Sequence, residues 1–342
     1  MSRGEHIATP RRSRGAALLI AMALLVLVTT LAAGMVWQQH RAIQVETAER
    51  ARTQAAWILN GALDWARLIL REDARTGGPT ALTEPWATPL AEARLSTFLA
   101  TDKENNTDSG PDAFLSGSIV DLQSRYNLRN LIDGNKVTDT ELLTLRRLCE
   151  AAGAPTDTAP RIAEGLLAAW GPTATQSGTS VQSATTQGST MSPGSSTVQS
   201  GAAPLAPRTV AQLQWLGIDP AVLERLENFV VLLPVRTTVN LNTADAEVIA
   251  AVVPGLDAGA AQALVQGRQR AAFKTLQIAG KLVSSPDKLD PKSVGVTSSF
   301  FEVRGKLRLD DRALEERSIV ERRGLDMVTI LRERVASVVP DR

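Results

Sequence analysis

The chain is poor in the side chains that most enzyme chemistry requires. It has one cysteine, Cys149, so no intrachain disulfide can form and no thiolate cluster can hold a metal. The spacing Leu142, Leu145, Leu148, Cys149 sets that thiol on an apolar helix face, which reads as a buried, inert cysteine; the alternative is an intermolecular link. The two histidines, His6 and His40, both precede Arg41. The rest of the chain therefore lacks the parts for Ser-His-Asp or Cys-His catalysis and for histidine-ligated zinc. Carboxylate chemistry or an oxygen-ligated cation is what remains, and no spacing singles out a carboxylate pair, so no enzyme is expected. Neither basic nor acidic residues are in excess: 37 basic and 36 acidic residues leave a net charge of +1, and nothing in that balance draws the chain to nucleic acid.

Charge is absent altogether from one long stretch. A leader with four arginines and no lysine ends in Arg11-Arg12-Ser13-Arg14-Gly15, and from Ala16 no charged residue occurs before Arg41. Residues 16–37 are long enough to span a hydrocarbon core of ~30 Å as a helix. The arginines before them hold the N-terminus in the cytoplasm, which exports the remainder. A secretory signal is cut after its apolar core, whereas here the glycine that suits a cut precedes it. That order resembles a type IV prepilin. A plain membrane anchor has the same layout, and Thr30-Leu31-Ala32 is a passable signal peptidase site, so all three readings stand at this point.

Beyond the apolar segment, Ala48, Ala51, Ala55, Ile58, Leu59, Ala62, Leu63, Ala66, Ile69 and Leu70 recur at helical spacing. The spacing predicts one helix from the membrane to about residue 71, stopped by Thr76-Gly77-Gly78-Pro79. Trp86 and Phe98 are candidate core anchors, and residues 117–123 read as a short strand. Thr138 and Glu141 have the form of a capping box opening a helix to about residue 152. A second helix is expected over 160–170. Residues 171–207 carry no charge and are rich in Ser, Thr, Gly, Gln and Ala, the composition of a flexible loop. Asp219-Pro220 caps a helix over 220–229, and residues 229–233 read as a strand or the buried end of that helix. From Ser298 the pattern turns to three strands, with hairpin turns at Arg308 to Asp311 and Arg322-Arg323-Gly324.

The stretch Val239-Asn240-Leu241-Asn242-Thr243-Ala244, two short helices and the turn Pro254-Gly255-Leu256-Asp257 between them resembles the helix-hairpin-helix of DNA-uptake receptors of the competence type. In that class a second glycine ends the turn, and backbone N–H groups there cradle a phosphate. Asp257 stands in its place, and residues 239–290 hold five acidic and five basic side chains. The hairpin residues Asn240, Asn242, Thr243 and Gly255 therefore read as packing or interaction elements. Arg268, Arg270 and Lys274 remain a local basic edge.

Four features in order resemble the minor pseudopilin family of type II secretion known as general secretion pathway protein K. They are the leader ending at Gly15, the segment Val120-Asp121-Leu122-Gln123-Ser124-Arg125-Tyr126-Asn127-Leu128-Arg129-Asn130-Leu131, the hairpin from Val239, and Ser298-Ser299-Phe300-Phe301. The resemblance implies an α+β fold of type IV pilin-like form, a long N-terminal helix packed on a C-terminal antiparallel sheet. A large inserted α-helical domain carries the helix-hairpin-helix, SAM-like segment. The divisions expected are a leader over 1–15, a transmembrane segment over 16–37, a pilin-like part over 38–123 with its spine helix to about 72, an inserted domain over 124–290, and the sheet over 291–342. Prepilin peptidase would cut between Gly15 and Ala16 and methylate the new amine. Pilins carry glutamate at the fifth mature residue, which here is Ile20; a subunit at the very tip has no neighbour above it to need that carboxylate.

The implied role is structural: a tip subunit that starts or caps a periplasmic pseudopilus in the inner membrane, with I- and J-type minor pseudopilins, the major pseudopilin and secreted cargo as partners and no nucleic acid. Assembly would run through the helix face that includes Ala55 and Leu59. The resemblance also implies calcium in the pilin-like part, with Asp102, Asp108, Asp112, Asp310 and Asp311 as candidate oxygen ligands and Asp310 and Asp311 foremost among the five. The alternative is a membrane-anchored DNA-uptake receptor. Expressed with a prepilin peptidase, the chain should lose fifteen residues and show an N-methylated Ala16 by mass spectrometry; a chain left uncut, or cut near Ala32, removes the prepilin reading.

Overall fold

The computed structural model describes residues 14–95, 113–170, 205–284, 286–309 and 312–338. The chain divides into two units between Asn60 and Gly61.

The first unit is helical throughout its described residues and belongs to α1, Arg14–Thr76. No proline interrupts α1, so its hydrogen-bond ladder is unbroken. Among the described residues it is the one helix long and apolar enough to cross a membrane. Its large apolar side chains from Leu18 to Trp37 are exposed, as a lipid-facing surface requires. Polar atoms in that stretch are met locally: the Thr29 hydroxyl donates to the Leu25 carbonyl at 2.9 Å and the Thr30 hydroxyl to the Leu27 carbonyl at 2.9 Å. Ala55 and Leu59, further along, are buried.

The second unit is built on an antiparallel sheet. Its strands are β1 (Leu90–Arg94), β2 (Ala113–Asp121), β9 (Phe300–Leu309), β10 (Arg312–Arg323) and β11 (Asp326–Val338), in the order β1-β2-β9-β10-β11 among the described residues. The expectation of a three-stranded C-terminal sheet was too small. β2 pairs with β9 from Ala113 against Leu309 to Asp121 against Phe301, so the 117–123 strand signal belongs to this same sheet. The last turn is also tighter than expected. Arg322 and Arg323 are still paired, to Met327 and Asp326, and Gly324 makes the turn at a φ of 63°, in the left-handed region that glycine enters at no steric cost. The 310–311 turn and Phe98 lie outside the described residues.

Side chains alternate across a strand, so the adjacent Phe300 and Phe301 face opposite sides of the sheet. Phe301 meets α1: Leu63, Ala66 and Leu70, one turn apart on one stripe, pack with Trp86, Phe301, Val303, Val320 and Met327. Trp86 stands edge-on to Phe301, with ring centroids 5.4 Å apart. Arg322 stacks 4.6 Å over the Phe301 ring and pairs with Asp73 of α1 at 2.9 Å. Phe300 meets the other layer, where Leu122, Val231, Leu233 and Ile319 pack with it. On that same face Glu302 is fully buried and is held by Arg304 and Arg317, the latter at 2.6 Å.

The residues between β2 and β9 form a helical layer with its own core. After β3 (Tyr126–Asn127) and the small hairpin of β4 (Ile132–Asp133) and β5 (Lys136–Val137) come α2 (Asp139–Ala151), α3 (Thr158–Trp170) and α4 (Pro220–Leu226). Then follow β6 (Val230–Val231), β7 (Val239–Asn240), α5 (Ala246–Val252), α6 (Ala258–Arg270), α7 (Leu276–Gly280) and β8 (Val294–Gly295). Leu145, Leu148, Ile162, Leu166, Leu226, Leu241, Ile249 and Leu264 meet in one cluster, and Cys149 is buried among them. Burial pushes the Cys149 thiol up to about 12, which leaves it without a thiolate at neutral pH.

Two local expectations are corrected. Thr138 does sit at the N-cap of α2, yet its side chain makes no capping bond. Glu141 accepts the Tyr126 phenol instead, at 2.8 Å: satisfying a buried hydroxyl is worth more than a second cap on an exposed helix end. The helix after Asp219 stops at Leu226, because Val230–Val231 is a strand running parallel to Tyr126–Asn127.

Leu70 is fully buried between α1 and the sheet. Leu70→Ala should cost ~2–5 kcal/mol in urea unfolding of the full chain, the range for a core leucine whose cavity cannot collapse; a loss within ~0.5 kcal/mol would mean that α1 is not seated on this face.

Candidate functional site

The sequence motifs converge on one buried polar cluster. Asp121 ends β2 and is 1 % exposed. Its Oδ1 accepts the Gln123 backbone N–H at 2.8 Å, which turns the chain into a short 3-10 helix over Leu122–Ser124. Its Oδ2 accepts the Thr243 hydroxyl at 2.6 Å, the Ser298 hydroxyl at 2.6 Å and the Asn240 amide at 3.0 Å. Asn240 Nδ2 also donates to the Thr80 carbonyl at 2.9 Å, and the Ser298 N–H donates to the Thr80 hydroxyl at 3.1 Å. One carboxylate thus joins the end of a sheet strand, the loop after α1, the start of the hairpin and the entry to β9. Burial raises the Asp121 pKa above the usual carboxylate range, and the donors from Ser298, Thr243, Gln123 and Asn240 pull against that rise.

The flanking motif residues do similar work. Gln123 donates to the Thr238 carbonyl at 2.9 Å and accepts the Ser299 N–H at 2.6 Å. Asn130 exchanges two bonds with the Thr237 backbone, at 2.8 and 3.1 Å, as a paired strand would. Asn127 donates to the Val235 carbonyl at 2.7 Å and accepts the Leu233 N–H at 3.1 Å. Asn242 reaches the Phe273 backbone from both ends, donating at 3.0 Å and accepting at 2.8 Å. These side chains stand in for a ladder where the chain has no regular partner, which keeps buried backbone groups satisfied.

Of the sequence-derived residues, Asn240, Asn242 and Thr243 are brought into this cluster, with Asp121, Gln123 and Ser298 of the neighbouring motifs. Gly255 is not. It lies at the hairpin turn with a φ of 68°, and its carbonyl accepts Lys288 at 3.0 Å. Asp257 accepts the Ala260 N–H at 2.6 Å, so its own carboxylate fills the N-terminus of α6 where a phosphate would sit. Arg268 is a further correction: it is buried, donates to the Leu241 carbonyl at 2.8 Å and to the Ala244 carbonyl, and so forms no part of a basic edge. Burial lowers its pKa, with Asp245 opposing.

The remaining residues fall elsewhere. Gly15, Ala16 and Ile20 lie in α1, where Ile20 is exposed. Ala55 and Leu59, the residues expected on the assembly face, are buried, at 6 % and 2 % exposure. The exposed apolar side chains of α1 beyond Trp37 are Ile43, Val45 and Trp57 in the first unit and Trp65 and Leu68 in the second. Asp310 and Asp311, like Asp102, Asp108 and Asp112, lie outside the described residues, and among those described no group of three or more His, Cys, Asp or Glu is placed to hold a metal.

Comparison with known proteins places this architecture. Two family models described as type II secretion system (T2SS), protein K, match residues 124–235 and 239–296. Type II secretion system protein K of Pseudomonas aeruginosa is 28 % identical over 317 residues, covering 88 % of this chain and 86 % of that protein. The protein of the same name from Pectobacterium carotovorum subsp. carotovorum is 26 % identical over 349 residues, covering 94 % and 96 %. Among solved structures, the GspK-GspI-GspJ complex from the enterotoxigenic Escherichia coli Type 2 Secretion System contains a chain of like fold, with a TM-score of 0.59 at 18 % identity over 85 % of this chain and 99 % of that one.

Asp121→Asn swaps an acceptor for a donor facing two hydroxyls and an amide, and should cost ~2–4 kcal/mol in urea unfolding at neutral pH. The pH dependence has a definite sign. Because the folded-state pKa is raised, the native chain keeps a proton that the unfolded chain has released, so the Asp121 contribution falls as pH rises from the usual carboxylate value to the raised one. The variant should lose that slope; a slope unchanged from wild type would assign it to other groups.

Proposed function

We infer the function from one premise: the chain belongs to the type II secretion system protein K family and is a minor pseudopilin of that system. It is anchored in the inner membrane by its apolar N-terminal helix. The four arginines before its apolar stretch orient the N-terminus to the cytoplasm and the larger unit to the periplasm. Processing between Gly15 and Ala16 leaves α1 as the spine of the mature subunit.

The fold reading that supports this role is a pilin-like body with an insertion. α1 from Leu63 to Leu70 and the sheet make the body, and the residues between β2 and β9 make the inserted helical part, bounded near 124 and 290. The insertion leaves and re-enters the sheet at adjacent paired positions, Asp121 and Phe301. A bulky crown on one body suits the end of a filament better than its shaft, where each subunit must be covered by the next. I- and J-type minor pseudopilins are the proposed partners at that tip; the complex whose chain shares this fold is one of GspK with GspI and GspJ.

The observation that carries the assembly reading is the exposure of Trp57 and Trp65, at 73 % and 51 %. Large aromatic side chains left in water on a helix are anchors for a partner helix. Trp65→Ala should reduce co-purification of the I- and J-type pseudopilins about tenfold, the loss of one aromatic hot spot, while leaving the thermal transition of the chain unmoved. Undiminished recovery would place the interface on another face.

We also propose calcium binding in the pilin-like part through Asp310 and Asp311, two adjacent hard oxygen donors of the kind calcium takes. The purified chain should melt at a higher temperature in calcium than in chelator, and equal melting temperatures would remove the site.

A further inference from the structure

A cleft of about 420 Å³ opens where the insertion meets the outer end of the sheet. That volume lies within the range of pockets that bury small ligands, roughly 300–1,000 Å³. Its floor is apolar: Leu232 and Leu233 from the insertion, and Ile319, Ile330 and Leu331 from β10 and β11. A β-bulge aims two of these side chains. Ile319 pairs with Leu331 and Val320 with Thr329, so Ile330 is the extra residue on β11, and the bulge turns both it and Leu331 into the cleft. Ile330 is left 36 % exposed there.

The rim carries positive charge that no acid among the described residues pairs. Arg129 stacks 4.5 Å over the ring of Trp170, and Arg208 lines the same cleft. Neither has a carboxylate partner among the described residues. The rim's one acid, Glu321, is already paired with Arg323 at 2.7 Å. Two guanidinium groups beside an apolar floor are matched by a carboxylate next to a bulky apolar group. The chain's own residues 171–204 contain no charged side chain and cannot supply that carboxylate. Alongside the cleft, β11 is the outermost strand, and its far edge has no strand partner among the described residues. An open strand edge beside side-chain pockets is the arrangement by which extended segments are bound: backbone bonds hold the segment and pockets select its side chains.

We propose that this cleft binds an extended segment of a partner polypeptide. The segment pairs with the free edge of β11, sets an apolar side chain on the Ile330–Leu331 floor and places an adjacent carboxylate between Arg129 and Arg208. The proposal does not depend on where in the filament the subunit sits.

The test uses the full chain in detergent micelles, titrated calorimetrically with the blocked peptide acetyl-Thr-Val-Leu-Asp-Val-Thr-amide and its counterpart with asparagine for aspartate. The acidic peptide should bind saturably and the asparagine peptide about tenfold more weakly, the loss of one charge-assisted hydrogen bond. Arg129→Gln combined with Arg208→Gln should abolish the preference without moving the thermal transition, and Ile330→Asp should weaken both peptides. Absence of saturable binding, or equal affinity for the two peptides, overturns the proposal. Binding that appears only after deletion of residues 171–204 would assign the cleft to the chain's own segment, and concentration-dependent self-association lost in the arginine variant would assign it to a second copy; either result also overturns it.

Discussion

A carboxylate withdrawn from water must be met by donors or give up its charge, and Asp121 is met from four directions. Its partners come from residues 123, 240, 243 and 298, and Asn240 carries the network on to Thr80. These are the points where the chain leaves the sheet, begins the hairpin, returns to the sheet and comes off the spine helix. Hydrophobic contact is non-directional and would let these layers slide. Hydrogen bonds to one fixed carboxylate hold them in one register, since a displaced layer would strand buried polar atoms. The helices and strands on either side are placed by ordinary packing, but their relative position depends on this cluster.

Around Phe300, Phe301, Ile319 and Val320 the sheet is covered on both faces, which explains why these strands do not read as a simple alternation of apolar and polar residues. Phe301 and Val303 pack against α1, and Phe300 with Ile319 packs against the layer between β2 and β9. Charge enters the same surfaces in paired form. Glu302 lies under Arg304 and Arg317, and Glu316 under Arg332 and Arg334, so each buried acid has two arginines that keep their ends in water. An arginine stem covers apolar surface while its head pairs the acid, which is a cheaper way to bury a carboxylate than to enclose it alone.

The spine helix divides its apolar residues between several uses. From Leu18 to Trp37 they are exposed and suited to lipid. Leu63, Ala66 and Leu70 are consumed by the sheet. What is left, Trp57, Trp65 and Leu68 among them, has no occupant within the described chain. A subunit that has to be anchored in a membrane, fold on its own helix and still join partners needs these three surfaces to be distinct, and the helix provides them in one continuous element.

Much of this was legible in the order of residues. The uncharged stretch after Gly15, the helix stop at Gly77, the Asp219 cap and the Ser298-Ser299-Phe300-Phe301 strand are local signals, because helix length, capping and strand alternation depend on neighbours within a few residues. The motif from Asp121 to Asn130 was visible as a pattern, yet its meaning was not: side chains that replace backbone ladders have no period of their own, and their partners lie at Leu233, Val235, Thr237 and Thr238. Which apolar residues of the spine were free, whether Glu141 would cap a helix or receive Tyr126, and whether Arg268 would face solvent were decided only by the tertiary structure. Each depends on a residue distant in sequence competing for the same group, and in a dense interior the contact that leaves the fewest polar atoms unmet prevails.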